Sequence, residues 1–266
     1  MKKAVLVVSF GTSYKETREK TIEACENKIK NGLEGYDFFR AFTSNMIIRK
    51  LKNRDGIEIE NPIQALDRLY EEGYEEVIVQ TLHIICGEEF TKLKEQVDSY
   101  QDKFKKIILG RPLLTYIEDY KETVEAIKHQ IPQMQKDEAV VFMGHGTFHE
   151  SHASYPALEY MMRDAGINAY VGTVEGYPEI DNVVKRLKED NIKIVNLMPF
   201  MLVAGDHAIN DMAGEDEDSW KNILEDFGFE VKVHLQGLGE NPYIQDKFMN
   251  HANDCVEKIN ELGQIC

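Results

Sequence analysis

Leu197–Met212 reads LMPFMLVAGDHAINDM. Its first half is apolar, and Pro199 inside it argues against a long helix, because proline removes a helical hydrogen bond and crowds the preceding turn. The stretch reads as a buried strand that runs out into a loop at Gly205-Asp206-His207. In open α/β sheets, ligands bind beyond the carboxyl ends of the strands, and this loop delivers a titratable ring there. Ala139–Thr147, AVVFMGHGT, repeats the pattern: a β-branched strand ends in His145 between two glycines. Glycine lets another group come close to the backbone.

Working outward, strands alternate with helical patterns along the whole chain. Strands are expected at Lys3–Ser9, Tyr36–Phe42, Glu76–Leu82 and Lys106–Gly110, then at Ala139–Met143, Ala169–Val174, Lys193–Met198 and Glu230–Leu235. Between them, helices are expected at Lys15–Lys30 (capped by Thr12 or Ser13), from Thr43 or Ser44 to Arg54, and from Pro62 to Gly73. Others are expected at Phe90–Tyr100, Ile117–Gln130, Ser151–Asp164, Pro178–Glu189 and Ser219–Phe227, with a last one opened by Asn241-Pro242. Pro62 and Pro242 each follow an asparagine, the pattern of an N-cap with proline at the first helical position. This order predicts an α/β fold with parallel sheets and right-handed crossovers.

The two halves resemble each other. Val8-Ser9-Phe10-Gly11-Thr12 lies over Met143-Gly144-His145-Gly146-Thr147, and Gln80–Glu89 over Met198–His207. Phe10 then takes the place of His145, and Glu89 that of His207. We expect two similar α/β domains from an internal duplication, 1–125 and 126–266, with the last helix free to pack on the first. The second half carries the metal-type side chains.

Composition bounds the function. The chain has 266 residues, 42% of them hydrophobic, and a formal net charge of −16. That charge argues against nucleic acid and anionic membrane as partners. No apolar run approaches the roughly 20 residues of a membrane span. The opening MKKAVLVVSFGTS is too short in its apolar part for a signal peptide and reads as the first strand. Cys25, Cys86, Cys255 and Cys266 form no CxxC pair, the usage of a reduced compartment, so a cytoplasmic protein is expected.

His145, Glu175 and His207 each follow an expected strand of the second half, so a parallel sheet brings all three to one edge. It does not fix their separations. Two imidazoles and a carboxylate suit Co²⁺, Ni²⁺, Fe²⁺ or Zn²⁺, and either imidazole could accept a proton near neutral pH. The alternative is three loop-end residues bonded to backbone. His149 and His152 could load a metal at the surface or simply face solvent on a first helical turn. Gly11-Thr12-Ser13 and Gly146-Thr147 match no phosphate-binding fingerprint and read as tight turns. Met143, Met198, Met201 and Met212, with Trp220, read as core filling. Glu215–Asp218 reads as a solvated acidic loop ahead of a helix.

With these residues in hand, the chain resembles the anaerobic-pathway cobalt chelatases of cobalamin biosynthesis, the sirohydrochlorin cobaltochelatases, which are relatives of ferrochelatase. The resemblance runs the full length. It is carried by Val7–Tyr14 (VVSFGTSY), Arg40–Leu51 (RAFTSNMIIRKL), Arg54–Ile57 (RDGI), Val140–Gly146 (VVFMGHG) and Met201–Met212 (MLVAGDHAINDM). It implies two α/β domains facing across a cleft that takes the tetrapyrrole. It implies His145, Glu175 and His207 as metal and catalytic residues, and Phe10, Arg54 and Glu89 near the substrate. The metal, Co²⁺ or else Fe²⁺, Ni²⁺ or Zn²⁺, is a substrate, and no organic cofactor is implied. The partners implied are sirohydrochlorin and the ion, with homo-oligomerisation left open. The rivals are insertion of Fe²⁺ or Ni²⁺ into a related tetrapyrrole, a non-catalytic tetrapyrrole or metal carrier, and a phosphate-ligand module. Sirohydrochlorin is a polycarboxylate, which sits uneasily with −16. Arg40, Arg49, Lys50, Lys52 and Arg54 are the cations available to meet it, Arg54 first among them.

Overall fold

The computed structural model describes residues 1–262; Cys266 lies outside them. The elements run β1 (Lys3–Ser9), α1 (Lys15–Lys20), α2 (Ile22–Gly32), β2 (Asp37–Phe42), α3 (Asn45–Asp55), α4 (Pro62–Glu71), β3 (Glu76–Thr81), α5 (Glu88–Asp98) and β4 (Lys106–Leu109). They continue with α6 (Ile117–Lys128), β5 (Glu138–Thr147), α7 (Ser154–Asp164), β6 (Ala169–Gly176), α8 (Ile180–Glu189), β7 (Ile194–Phe200), α9 (Trp220–Asp226), β8 (Glu230–Val233) and α10 (Pro242–Leu262). There are two parallel four-stranded sheets, ordered β2-β1-β3-β4 and β6-β5-β7-β8. The same order appears twice, with the first strand of each half placed centrally, as the internal likeness of the sequence requires.

Met1–Thr115 and α10 form one compact unit, and Tyr116–Asn241 forms the other. The division thus falls ahead of the expected 125/126, and α6 goes with the second unit. The last helix belongs to the first. It packs on α2, β3 and β4, and polar contacts fix it there. Lys28 pairs with Asp246 at 2.6 Å, and Lys106 Nζ donates to the Ile259 carbonyl at 2.8 Å. Loss of the exposed Lys28–Asp246 pair would cost little, since exposed pairs are weak. The buried side chains Ile244, Phe248, Ala252 and Ile259 supply the holding force, each large one contributing about 1.5–3 kcal/mol.

In the first unit, Ala4, Leu6 and Val8 of β1 meet Ala65, Leu66 and Leu69 of α4 and Leu93 and Val97 of α5. The alternate residues Val5 and Val7 are buried too, so the sheet is covered on both faces, which is why its strands are apolar throughout. In the second unit, Val141, Met143, Val195 and Leu197 pack with Val183 and Leu187 of α8 and Trp220 and Leu224 of α9. Met143, Met198 and Met212 are buried and Met201 packs against the core, so the methionines and Trp220 fill space as expected.

Pro199 lies inside β7, an interior strand. Pairing of β7 with β8 stops at Leu197↔Val233, so Pro199 sits where that side of β7 has no neighbour and a missing N–H breaks no ladder. Three local expectations are corrected. The helix expected at Lys15–Lys30 divides at Thr21, whose hydroxyl donates back to the Thr17 carbonyl at 2.5 Å, a bond that bends helices. Its cap is Tyr14, while the Thr12 hydroxyl accepts from Tyr14 N at 3.3 Å. Thr147 does the same for His149 N at 3.0 Å, so the two halves share this turn. Finally, β5 runs past Met143 to Thr147, because Gly146↔Glu175 and Thr147↔Gly176 prolong its ladder with β6.

Candidate active site

The carboxyl edge of the second sheet is built by β5, β6 and the loop leaving β7. His145 is exposed on β5. Behind it, Gly144 lies against the buried Tyr155 ring, and a Cβ at Gly144 would stand 2.4 Å from that ring. The Tyr155 hydroxyl accepts from Gly146 N at 3.2 Å. Burial pushes this phenol up to about 12, so it keeps its proton. One aromatic side chain thus holds the backbone on both sides of His145.

His207 comes from the turn after β7. Ala208 and Met212 of that turn are fully buried and anchor it to the core, while Asp206 and Asp211 face outward. The Ala208–Met212 segment is a π-helix, a rare conformation that recurs at functional sites. The His145 and His207 rings lie 4.8 Å apart, centroid to centroid, and nearly perpendicular at 85°.

Hydrogen bonding sets the tautomer of each ring. His145 Nδ1 is 3.2 Å from the Gly146 carbonyl. His207 Nδ1 is 2.5 Å from Asp211 Oδ2. Both partners are oxygens that can only accept, so in the neutral form of each ring the proton sits on Nδ1 and Nε2 carries the lone pair. Histidines that bind metals characteristically donate their second N–H in this way. His149 differs: its Nδ1 accepts from Ser151 N at 3.2 Å, which puts the proton on Nε2 and leaves no lone pair outward. His152 Nδ1 bonds the His149 carbonyl at 3.2 Å. These two rings tie down the short turn Glu150–Ala153.

Glu175 is exposed on β6, where it pairs with Gly146 and not with His145. Among the described residues, no set of three or more His, Cys, Asp or Glu side chains is gathered closely enough to hold a metal ion. The structure brings the two imidazoles together, and Glu175 stands on the neighbouring strand β6. Sequence reading passed over Tyr155 and Asp211. The second had a signal, since it stands one helical turn after His207, where side chains meet. Phe148, 86% exposed, and Tyr177, 56% exposed, also went unremarked on the loops leaving β5 and β6.

Phe10, Arg54 and Glu89 all lie in the first unit. Phe10 follows β1 and is 45% exposed. Arg54 donates through Nε to Asp55 Oδ1 at 2.8 Å and through a terminal nitrogen to the Ser13 carbonyl, so it is tied to the loop leaving β1. The neighbouring cations are largely engaged: Arg40 with Glu26, Lys52 with Glu58 at 2.9 Å. Glu89 lies in the first turn of α5 and pairs with Lys92 at 3.2 Å.

His83, after β3, is a different kind of histidine. Thr81 Oγ1 meets its Nδ1 at 2.5 Å, and its Nε2 is shut off from solvent without a partner. Burial pulls it down to about 4, outweighing the nearby Glu89 carboxylate. Protons therefore bind the unfolded chain, near 6.5, before the folded one. His83 costs nothing above pH 6.5 and removes roughly 2–3 kcal/mol as pH falls from 6.5 to about 4. Urea melts at pH 7 and pH 4.5 should show a smaller acid loss for His83→Gln than for the parent; equal losses would place the titration elsewhere.

Among the described residues no helix is long and apolar enough to cross a membrane. The family model described as cobalt chelatase (CbiK) matches residues 3–257. A sirohydrochlorin cobaltochelatase of Salmonella typhimurium is 48% identical over 261 residues, covering 98% of this chain and 99% of that protein. The sirohydrochlorin cobaltochelatase CbiKC of Nitratidesulfovibrio vulgaris is 33% identical over 267 residues, covering 98% and 93%. Among solved structures, SirB from Bacillus subtilis with Fe3+ superposes with a TM-score of 0.67 at 15% identity, covering 96% of each chain. CbiX, the terminal enzyme for biosynthesis of siroheme in denitrifying bacteria, superposes at 0.56 and 17%, covering 95% of this chain and 99% of that one. At such identities these structures speak to the fold alone. A family match over nearly all of the chain, two full-length relatives and the shared fold together make the chain a member of the cobalt chelatase (CbiK) family.

Proposed function

We propose that this protein inserts Co²⁺ into sirohydrochlorin, the activity named for its two relatives, and that His145, Glu175 and His207 receive the ion. The observation that carries the site reading is the pair of facing imidazoles, each with its Nδ1 engaged and its Nε2 open. Insertion replaces two pyrrole N–H protons by one divalent ion, so the site must hold a metal and accept protons. Neutral imidazoles hold a first-row ion and can still release it. In this scheme His207 and Glu175 hold Co²⁺, the exposed Glu175 side chain turning to the ion as it arrives. His145, less firmly bonded, gives up the ion to the ring, and its freed Nε2 then takes the two pyrrole protons one after the other and passes each to solvent.

Phe148 and Tyr177, exposed on the loops leaving β5 and β6, offer apolar surface to a flat ring, and Phe10 is a further aromatic we assign to the substrate. Arg54 is the cation we assign to a ring carboxylate, and Glu89 stands near the substrate. The charge of −16 slows encounter with a polyanion, but binding is decided by such local groups. The reaction uses no organic cofactor, and the cytoplasm is its proper compartment.

The test is steady-state insertion under anaerobic conditions with Co²⁺, Fe²⁺ and Ni²⁺ in parallel, followed by the visible absorption of the ring. The highest kcat/KM is expected with Co²⁺. Faster insertion of Fe²⁺ would make this an iron chelatase. Ring binding without the spectral change of metallation would make it a carrier.

A further inference from the structure

His207 offers one ring nitrogen outward because the other is taken. Asp211, one turn on, accepts from its Nδ1. The turn that carries both is closely fixed. Asn210 Nδ2 donates to Asp206 Oδ1 at 3.2 Å, and Gly214 N donates to the Asn210 carbonyl at 3.0 Å. A Cβ at Gly214 would stand 2.2 Å from that carbonyl oxygen. Ala208 and Met212 point inward while the His207 and Asp211 side chains are 39% and 47% exposed. An exposed pair of this kind contributes little to folding, so stability does not account for it.

The two histidines differ in this respect. His145 donates to a neutral peptide carbonyl at 3.2 Å, His207 to a carboxylate. A carboxylate partner holds the ring against rotation, keeps the proton on Nδ1 and makes Nε2 the better electron donor. We propose that Asp211 is the positioning residue of His207, holding its Nε2 toward the incoming Co²⁺ and making it the firmer of the two imidazole ligands. The proposal rests on the reading of His207 as a metal ligand.

Titration of the whole protein with Co²⁺ alone, read by the visible absorption of the bound ion, separates the two. Asp211→Ala is expected to weaken Co²⁺ binding by about 10–100-fold and to raise KM for Co²⁺, with KM for sirohydrochlorin and the melting temperature unchanged. Asp211→Asn fills the same space and should weaken binding at least severalfold. A parent-like Asn variant beside an impaired Ala variant would also support the proposal, assigning the effect to the hydrogen bond and not the charge. Both variants within twofold of the parent, while His207→Ala loses Co²⁺, would overturn the role of Asp211 and leave His207 a ligand. A His207→Ala protein that binds Co²⁺ as the parent does would overturn both.

Discussion

His145→Ala should leave a folded protein that no longer inserts Co²⁺. The side chain is exposed on β5, and its one bond runs to the carbonyl of its own neighbour. Removing it costs the fold no more than about 0.5 kcal/mol, the usual range for a surface change. The site, by contrast, loses one of two adjacent rings and, in the scheme proposed, its proton acceptor. General base catalysis alone is worth about 10²–10⁴-fold, and a lost ligand adds to that. Insertion should therefore drop below a thousandth of the parent rate, with the urea midpoint unmoved. A fully active His145→Ala protein would remove that residue from the chemistry, whatever the family match says.

Gly146→Ala should damage both fold and activity. The residue has φ +83°, which L side chains rarely adopt, and an added Cβ would stand 1.8 Å from the Glu175 carbonyl oxygen and 2.7 Å from Thr173 Cβ. Backbone strain costs about 1–3 kcal/mol, and overpacking adds a similar amount. The combined loss should reach about 3–5 kcal/mol. Relief requires β5 and β6 to part at the point where His145 and Glu175 are carried, so insertion should fail as well. Gly35→Ala is the control. It has φ +82° but nothing within 4 Å of the added carbon, so it carries the strain without the clash. Equal urea midpoints for the two variants would show that crowding against β6 is not the cause.

The sheets were readable because each strand is a short apolar run closed by glycine or a polar turn. Lys3–Ser9 is found where the sequence puts it, and Asn61 caps α4 through reciprocal bonds with Gln64, both 3.0 Å. What escaped reading depends on contacts between distant residues. The extension of β5 to Thr147 needs β6 beside it, and the place of the division between the units, ahead of α6, depends on what α6 packs against. The site divides in the same way. That His145 and His207 stand at strand ends follows from local pattern, but their meeting at 4.8 Å depends on the path of residues 201–206 between β7 and the π-helix. That Glu175 pairs with Gly146 comes from the register of β5 with β6, which no local pattern fixes.

The return of α10 to the first unit has a consequence for how the polypeptide is made. Residues 116–241 are a continuous insertion between β4 and that helix, so the ribosome delivers everything the inserted unit needs while the earlier one still lacks a wall. Until Ile244, Phe248 and Ile259 emerge, the faces of α2, β3 and β4 that they cover stay open to water. The part of the chain synthesised first is thus the last to be completed, and it is the half most in need of shelter during translation.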